Sequence, residues 1–458
     1  MAAPSIIWLR QDLRLHDQPA LAAAAREGAA IPVYILDDSS PGRWKTGAAQ
    51  RWWLHHSLER LDEALRKLGS RLILRRGRAD VELARLAGET GAGRVHATRH
   101  YEPWWREAER RAGEALDLVL HGGNVLAPPE QVRTGAGSPY KIFTPWWRAL
   151  QEQLPPEAPV AAPGALPGPT RWPRSDDLSS WRLLPARPNW AKGFEDEWTP
   201  GEAGALERLE DFAGRAGGYA RSRDRPGEEG TSRFSPHLHF GELSARRVWH
   251  ALTREAGEKF RKELAWRDFS HNVMIDQPGI GEKAGRPAFA HFPWREGKAA
   301  DEDFEAWSRG RTGYPIVDAG MRQLWATGWM HNRVRMIAAS FLVKHLLIDW
   351  RRGAEWFWDT LVDADYGNNS QNWQWIAGSG TDSQPFGRIM APLVQSRKFD
   401  AADYIRKWVP EIAGLSDEAI HEPGDPRPGD YPEALIGHRP ARERALAASA
   451  GLAGAGGA

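Results

Sequence analysis

An α/β domain followed by an all-helical one is what this sequence predicts, and three observations carry that expectation. Five short apolar runs alternate with helical patterns over the first 130 residues, a Pro-rich stretch follows, and strand signals almost vanish after Gly201. The runs are SIIWLR (5–10), IPVYILDD (31–38), RLILRRG (71–77), RVHATRHY (94–101) and DLVLHGG (117–123). Between them, AAQRWWLHHSLERLDEALRKLG and YEPWWREAERRAGEAL repeat apolar residues at three and four, as helices covering a parallel sheet require. A doubly wound parallel sheet is the simplest arrangement. No GxGxxG follows the first run, so the dinucleotide fingerprint is not seen there.

From about Leu154 to Pro200 the chain reads LPPEAPVAAPGALPGPTRWPR and onward, a composition that sustains neither helix nor ladder and suits a long surface connector. Beyond it, AGMRQLWATGWM and VRMIAASFLVKHLLIDW are helical in pattern. The expected organisation is an α/β domain over 1–130, a linker over 131–200, a helical catalytic domain over 201–440 and an Ala/Gly-rich tail over 441–458. That tail has little to bury and is expected to be disordered.

Composition removes several function classes. With no Cys there is no disulfide, no thiolate metal site and no cysteine nucleophile. No run of about 18 apolar residues offers a membrane span. The opening MAAPSIIWLRQDLRLHD meets Arg and Asp too early for an export signal, so a cytoplasmic protein is expected. The formal charge of +1 is neutral on nucleic acid, since binding needs a local basic face. The 24 Trp serve mainly as core, with exceptions to be named from context.

Four segments carry chemistry, and each also has a plain structural reading. In EGTSRFSPHLHFGEL (229–243), Ser235 before Pro236 has the form of an N-cap followed by Pro at the first helical position. With Thr231 and Ser232 it is either ordinary capping or a phosphate cradle that Tyr219 and Arg223 could close over. In RKELAWRDF (261–269), Glu263, Trp266 and Arg267 share one helical face. They form either an ion pair beside a core Trp, or a patch that stacks on a base, bonds its edge and grips a phosphate. GRTGYPIVDAGMRQLWATGWMHNRVRM (310–336) is too polar for plain helix packing and implies that something polar is held near Asp318; Asn332 and Met336 fall at i and i+4. In DADYGNNSQNWQW (363–375), Asp363, Asp365, Asn369, Trp373 and Trp375 gather acids, amides and indoles. Further acids and His at metal-ligand spacing are missing nearby, so no metal is assigned and a heterocycle is favoured. Arg335 could offset the buried charge of Asp363.

Together these segments, from IIWLRQDLRLHDQPAL to FDAADYIRKWVPEI, resemble the photolyase/cryptochrome family, and within it most resemble class I-type cyclobutane pyrimidine dimer photolyases. The resemblance implies a helical domain holding non-covalent FAD. Tyr219, Thr231, Ser232 and Ser235 then correspond to pyrophosphate and ribose contacts, with Arg233, Phe234 and Asn332 completing the cofactor set. Arg335, Asp363 and Asp365 correspond to the polar wall beside the isoalloxazine, and Asn369 to the residue facing flavin N5. Glu263, Trp266, Asn332, Met336 and Trp375 match the dimer-binding set. Enzymes acting on the (6-4) lesion carry histidines where Asn332 and Met336 stand here. Arg223, Arg267, Arg333 and Arg388 are the implied phosphate contacts on DNA containing pyrimidine dimers. Trp373, Trp350 and Trp294 are the implied electron-transfer tryptophans.

The implied activity is light-driven dimer repair by electron transfer from excited reduced FAD, in a monomer; the alternative is a cryptochrome-type photoreceptor without repair activity. Asp268 stands where WRE is the commoner pattern. The antenna chromophore is left open between folate, deazaflavin, another flavin and none, because Trp104 and Trp105 stand where folate-binding relatives place a polar pair.

Overall fold

The computed structural model describes residues 3–383, 386 and 389–455. Five parallel strands, β1 (Ser5–Leu9), β2 (Ala30–Leu36), β3 (Ile73–Arg76), β4 (Arg94–Thr98) and β5 (Asp117–His121), form one sheet in the order β3-β2-β1-β4-β5. Every residue of β1 and β2 is buried, as strands covered on both faces require. The covering helices are α1 (Pro19–Glu27), α2 (Ala48–Lys67), α3 (Ala79–Thr90) and α4 (Pro103–Ala115). Local chemistry sets their ends: the Gln18 side chain accepts from the Ala20 amide ahead of α1, and Gly91 closes α3 at φ 67, where a side chain would be strained. The strand order reverses between β1 and β4, the switch point of a doubly wound sheet.

The chain divides into two compact units that alternate along the sequence. The first comprises Met1–Gly217, Ser232–Pro278 and Val362–Asp365; the second comprises Gly218–Thr231, Gly279–Leu361 and Tyr366–Ala458. Within the first unit the Pro-rich segment runs beside the sheet, where the Ala30 amide donates to Pro167 and the Asp176 amide to Leu74. The helix Ala245–Asp276 also clusters with the sheet. It opens on Ser244, whose hydroxyl accepts from the Arg247 amide, and breaks at Gly257, whose φ of 72 and ψ of −173 only glycine adopts readily.

The second unit is helical, with Lys298–Ser308, Pro315–Thr327, Asn332–Ser340, Trp350–Thr360 and Tyr366–Ala377 as its main rods. Gly353 is indispensable here: a Cβ would lie 2.2 Å from the Trp373 ring. The polar residues of 310–336 have a structural explanation. Buried Asp318 accepts from the amides of Thr312 and Gly313 and from the Tyr431 hydroxyl, so it ties down its own loop. The tail expected to be disordered is instead helical over His438–Ala455. Its small residues allow close approach, and Ala445 is buried in a cluster with Phe289, Phe292, Leu347 and Phe386.

Candidate active site

In the first unit, the stretch Ser232–Ser235 leads into the short helix Ser235–His239. Ser235 was expected to cap it, but the helix opens at Ser235, with Phe234 in the cap position and no side-chain cap bond. Ser232 is half-buried and Ser235 exposed. Arg233 adopts a left-handed φ of 55, pairs with Glu197 and places its guanidinium 4.5 Å from the Trp198 ring centre. Phe234 is buried edge-on to Phe212 at 5.4 Å.

Glu263, Trp266 and Arg267 do share a helix, yet they have separate surroundings. Glu263 and Trp266 are half-buried, and one face of the Trp266 ring stacks on Phe143 at 3.6 Å and 7°. Arg267 turns inward: it donates to the carbonyls of Asn124 at 2.9 Å and Leu238 at 3.3 Å, which commits two of the five N–H groups expected to grip a phosphate. Its neighbour Asp268 accepts the Leu126 amide at 2.6 Å, and burial pushes its carboxyl up to about 7. The shorter acid at this position is therefore a link from the helix to the loop after β5.

Asp363 and Asp365 are both buried. His271 Nε2 lies 3.6 Å from Asp365, and Glu102, His271 and Asp365 place their donor atoms within 4.8 Å of one another. Burial drives His239 down to about 4, although Asp365 and Asp363 act in the opposite sense. Sequence reasoning missed Glu102, His239 and His271, since nothing in their spacing joins 102, 239, 271 and 365.

In the second unit, Tyr219 is buried with the Arg223 guanidinium 5.3 Å from its ring centre, and Thr231 is half-buried. His331 caps the helix Asn332–Ser340 by accepting the Arg333 amide at 3.2 Å. Burial, then the Arg223 charge, lowers it to about 4. Asn332 is exposed at the first turn and Met336 half-buried one turn on, on one face as expected. Arg333 bonds Asp224 at 2.9 Å and lies 4.4 Å from the Phe399 ring centre; Arg335 donates to the Met330 carbonyl at 2.7 Å. Asn369 donates one side-chain N–H to the Ala354 carbonyl at 3.0 Å, which fixes the amide and leaves Oδ1 and the second Nδ2 hydrogen to offer to a ligand. Trp375 is half-buried. Arg388 lies outside the described residues.

Trp373 is buried, and its ring neighbours among the described residues are Phe357 at 5.0 Å and Trp307 at 6.3 Å. Phe304, Trp356 and Trp325 continue from Trp307 at 5.6, 6.3 and 6.2 Å, and Trp325 is 54% exposed. Of the tryptophans expected to follow Trp373, Trp350 is fully buried beside the Arg351 guanidinium, and Trp294 packs on Phe292 at 4.2 Å. Trp307 was overlooked because it lies on a helix whose apolar face reads as plain core.

Comparison with known proteins decides the family. Residues 5–164 match the DNA photolyase family and residues 260–450 match the FAD binding domain of DNA photolyase. Deoxyribodipyrimidine photo-lyase of Agrobacterium fabrum is 47% identical, with 98% of each chain covered. The chain belongs to the photolyase/cryptochrome family. A solved bacterial class III photolyase from Agrobacterium tumefaciens superposes on this photolyase-family chain with a TM-score of 0.93 at 47% identity, covering 99% of this chain and 98% of that one. That neighbour is a class III enzyme, whereas the sequence alone resembles class I-type enzymes. Cryptochrome-1 of Arabidopsis thaliana is 36% identical, over 92% of this chain and 64% of its own length.

The chemistry of the residues in each unit fits FAD. In the first, buried Asp363 and Asp365 and half-buried Ser232 suit ring or ribose donors; in the second, Asn369 Oδ1 and half-buried Thr231 offer polar contacts. Trp104 and Trp105, which stand at the expected folate position, belong to the sheet core, with Trp105 edge-on to Trp8 at 6.2 Å.

Proposed function

We infer that this photolyase-family chain reverses cyclobutane pyrimidine dimers in DNA under light. The observation that carries the reading is the near full-length match at 47% identity to a deoxyribodipyrimidine photo-lyase. When bound and reduced, FAD supplies the light-absorbing electron donor. The chain's residues do the rest. Asn369, held by one Nδ2 hydrogen on Ala354, offers Oδ1 to an N–H of the reduced ring without adding negative charge. Asp363 and Asp365 hold polar ring edges, while Tyr219, Thr231, Ser232, Ser235 and the adjoining Arg233 and Phe234 hold the pyrophosphate and ribose. Arg335, fixed by Met330, is the nearby cation of this reading.

On the lesion, Glu263 bonds a pyrimidine edge, and Trp266 and Trp375 pack on the bases, with Phe143 keeping the Trp266 ring flat. Asn332 and Met336 supply a polar and an apolar contact and no proton. The dimer leaves the stack to reach them, as photolyases are known to require. Arg223 and Arg333 take phosphates, as does Arg267 through the N–H groups that the carbonyls of Asn124 and Leu238 leave. In this reading the antenna belongs to 1–130 and catalysis to 201–440, in a cytoplasmic monomer of the class III type. Absorption and fluorescence spectra distinguish a folate, a deazaflavin, a second flavin and no antenna.

The test presents duplexes carrying either a cyclobutane dimer or a (6-4) product to the illuminated, reduced protein. Reversal of the cyclobutane dimer alone is expected. Repair of the (6-4) product, or of neither by flavin-loaded protein, overturns the reading, and the second result favours a photoreceptor.

A further inference from the structure

Three acceptor atoms meet in the interior of the first unit. Glu102 follows β4 at the start of α4, His271 lies on the helix Ala245–Asp276, and Asp365 is on the segment Val362–Asp365. All three are buried, and one ligand atom from each falls within 4.8 Å of the others. The His271 ring is fixed by chemistry: Nδ1 faces the Arg267 carbonyl at 3.1 Å, and a carbonyl only accepts, so Nδ1 carries the hydrogen. A neutral ring then turns the bare lone pair of Nε2 towards Asp365 at 3.6 Å. Two ionised carboxylates and a lone pair at this separation repel one another, and burial leaves no water screen to relieve them. A proton on one of them relieves that repulsion.

A cavity of about 10 Å³, the size of one water, adjoins the group and is lined by Gln11, His100, Tyr101, Glu102, His239 and His271 among others. His239 Nδ1 is buried at this cavity with no hydrogen-bond partner among the described residues. The charged and titratable groups facing Glu102 are Asp365, His271, His100 with Nδ1 at 4.0 Å, and Arg10; Arg267 and Asp268 lie about one turn back along the same helix. With Arg10 and Arg267 already present, a proton suits the balance of charge better than a divalent ion.

We propose that Glu102, His271 and Asp365 share a single proton, held on Glu102 at rest and passed through His271 Nε2 to Asp365. In that passage the Glu102 O–H bond breaks as an N–H forms on Nε2; this N–H then breaks as an O–H forms on Asp365, and no electron moves. Burial and the Asp365 charge raise the Glu102 carboxyl to about 7, in keeping with a proton retained near neutrality. Glu102 and His271 are thus positioning residues that let Asp365 switch between carboxylate and acid without solvent. Its consequence for the flavin rests on the reading of Asp365 as part of the flavin wall.

Infrared spectra of the flavin-containing protein in the dark, with and without ¹³C-glutamate, test the proposal. A carboxylic-acid C=O band that shifts with the glutamate label, fades as the pH rises through about 7 and is missing in Glu102→Gln is the expected result. The label marks every glutamate, so Glu102→Asp serves as a second variant: its acid band loses the shift with the label, which decides even if E102Q does not fold. The proposal is overturned by the lack of any labelled acid band, by its persistence in E102Q, or by a stoichiometric divalent ion whose removal creates the band. Flavin absorption across the same titration separates the two readings. A titrating band with an unmoved flavin spectrum supports the store and counts against Asp365 at the flavin, whereas a missing band on a flavin-loaded protein removes the store alone.

Discussion

Asn369 shows how one hydrogen bond sets a chemical role. Ala354 takes one Nδ2 hydrogen and so holds the amide in place, with Oδ1 available to an N–H partner and the second hydrogen to an acceptor. Asn369→Asp would replace the amide nitrogen with an oxygen, removing the donor to Ala354 and placing a charge or an acid there. The expected outcome is that illumination with a reductant no longer brings the flavin to its fully reduced spectrum, which absorption spectroscopy reads directly; unchanged accumulation removes the role from Asn369. Arg333 belongs to the same scale. It has one carboxylate partner, Asp224, and lies near Asn332 and Met336, so Arg333→Ala should weaken damaged and undamaged DNA alike and reduce the salt slope by about 1. A salt slope equal to wild type contradicts a phosphate contact.

At the scale of elements, the ladder from Trp373 through Trp307 to exposed Trp325 offers electrons a way out of the core. Trp307→Phe should slow photoreduction measured by transient absorption, and an unaltered rate assigns that ring to packing. The helix His438–Ala455 makes a second prediction. Ala445→Leu would overfill the cluster of Phe289, Phe292, Leu347 and Phe386, and thermal unfolding should show a loss of about 1–3 kcal/mol. No loss would mean the helix is only loosely docked.

These elements also show what a sequence reveals. The five strands were visible because a sheet covered on both faces demands unbroken apolar runs, and the flavin segment because acids, amides and indoles crowd into thirteen residues. The terminal helix was not, since Ala and Gly give no apolar stripe and only the cavity they fill explains them. Glu102 was missed, and the inward turn of Arg267 not foreseen, for a related reason. Whether a guanidinium faces solvent or a carbonyl, and whether 102 meets 271 and 365, depends on tertiary contacts that no local spacing encodes.

For the whole molecule, the buried titratable groups divide the pH scale. Glu102 and Asp268 have folded values near 7, above their ordinary 4.5 and 3.8, so the folded state keeps protons that the unfolded chain releases. Their contribution to stability is full below the ordinary values and is lost as the pH rises through about 7. His239 and His331, lowered from 6.5 to about 4, act oppositely, because the unfolded chain takes up protons first as the pH falls below 6.5. From about 6.5 upward the carboxyls act alone. The melting temperature should therefore fall as the pH passes 7, and fall less in Glu102→Gln; equal falls in calorimetry would show that Glu102 is not proton-linked.

The central claim is light-driven reversal of the dimer, and product analysis tests it most directly. Dimer-containing DNA is incubated with the reduced, flavin-loaded protein in parallel light and dark samples, with DNA in molar excess. The account predicts thymine monomers in the light only, in greater number than protein molecules. Monomers formed equally in the dark, or none formed in the light, would contradict it.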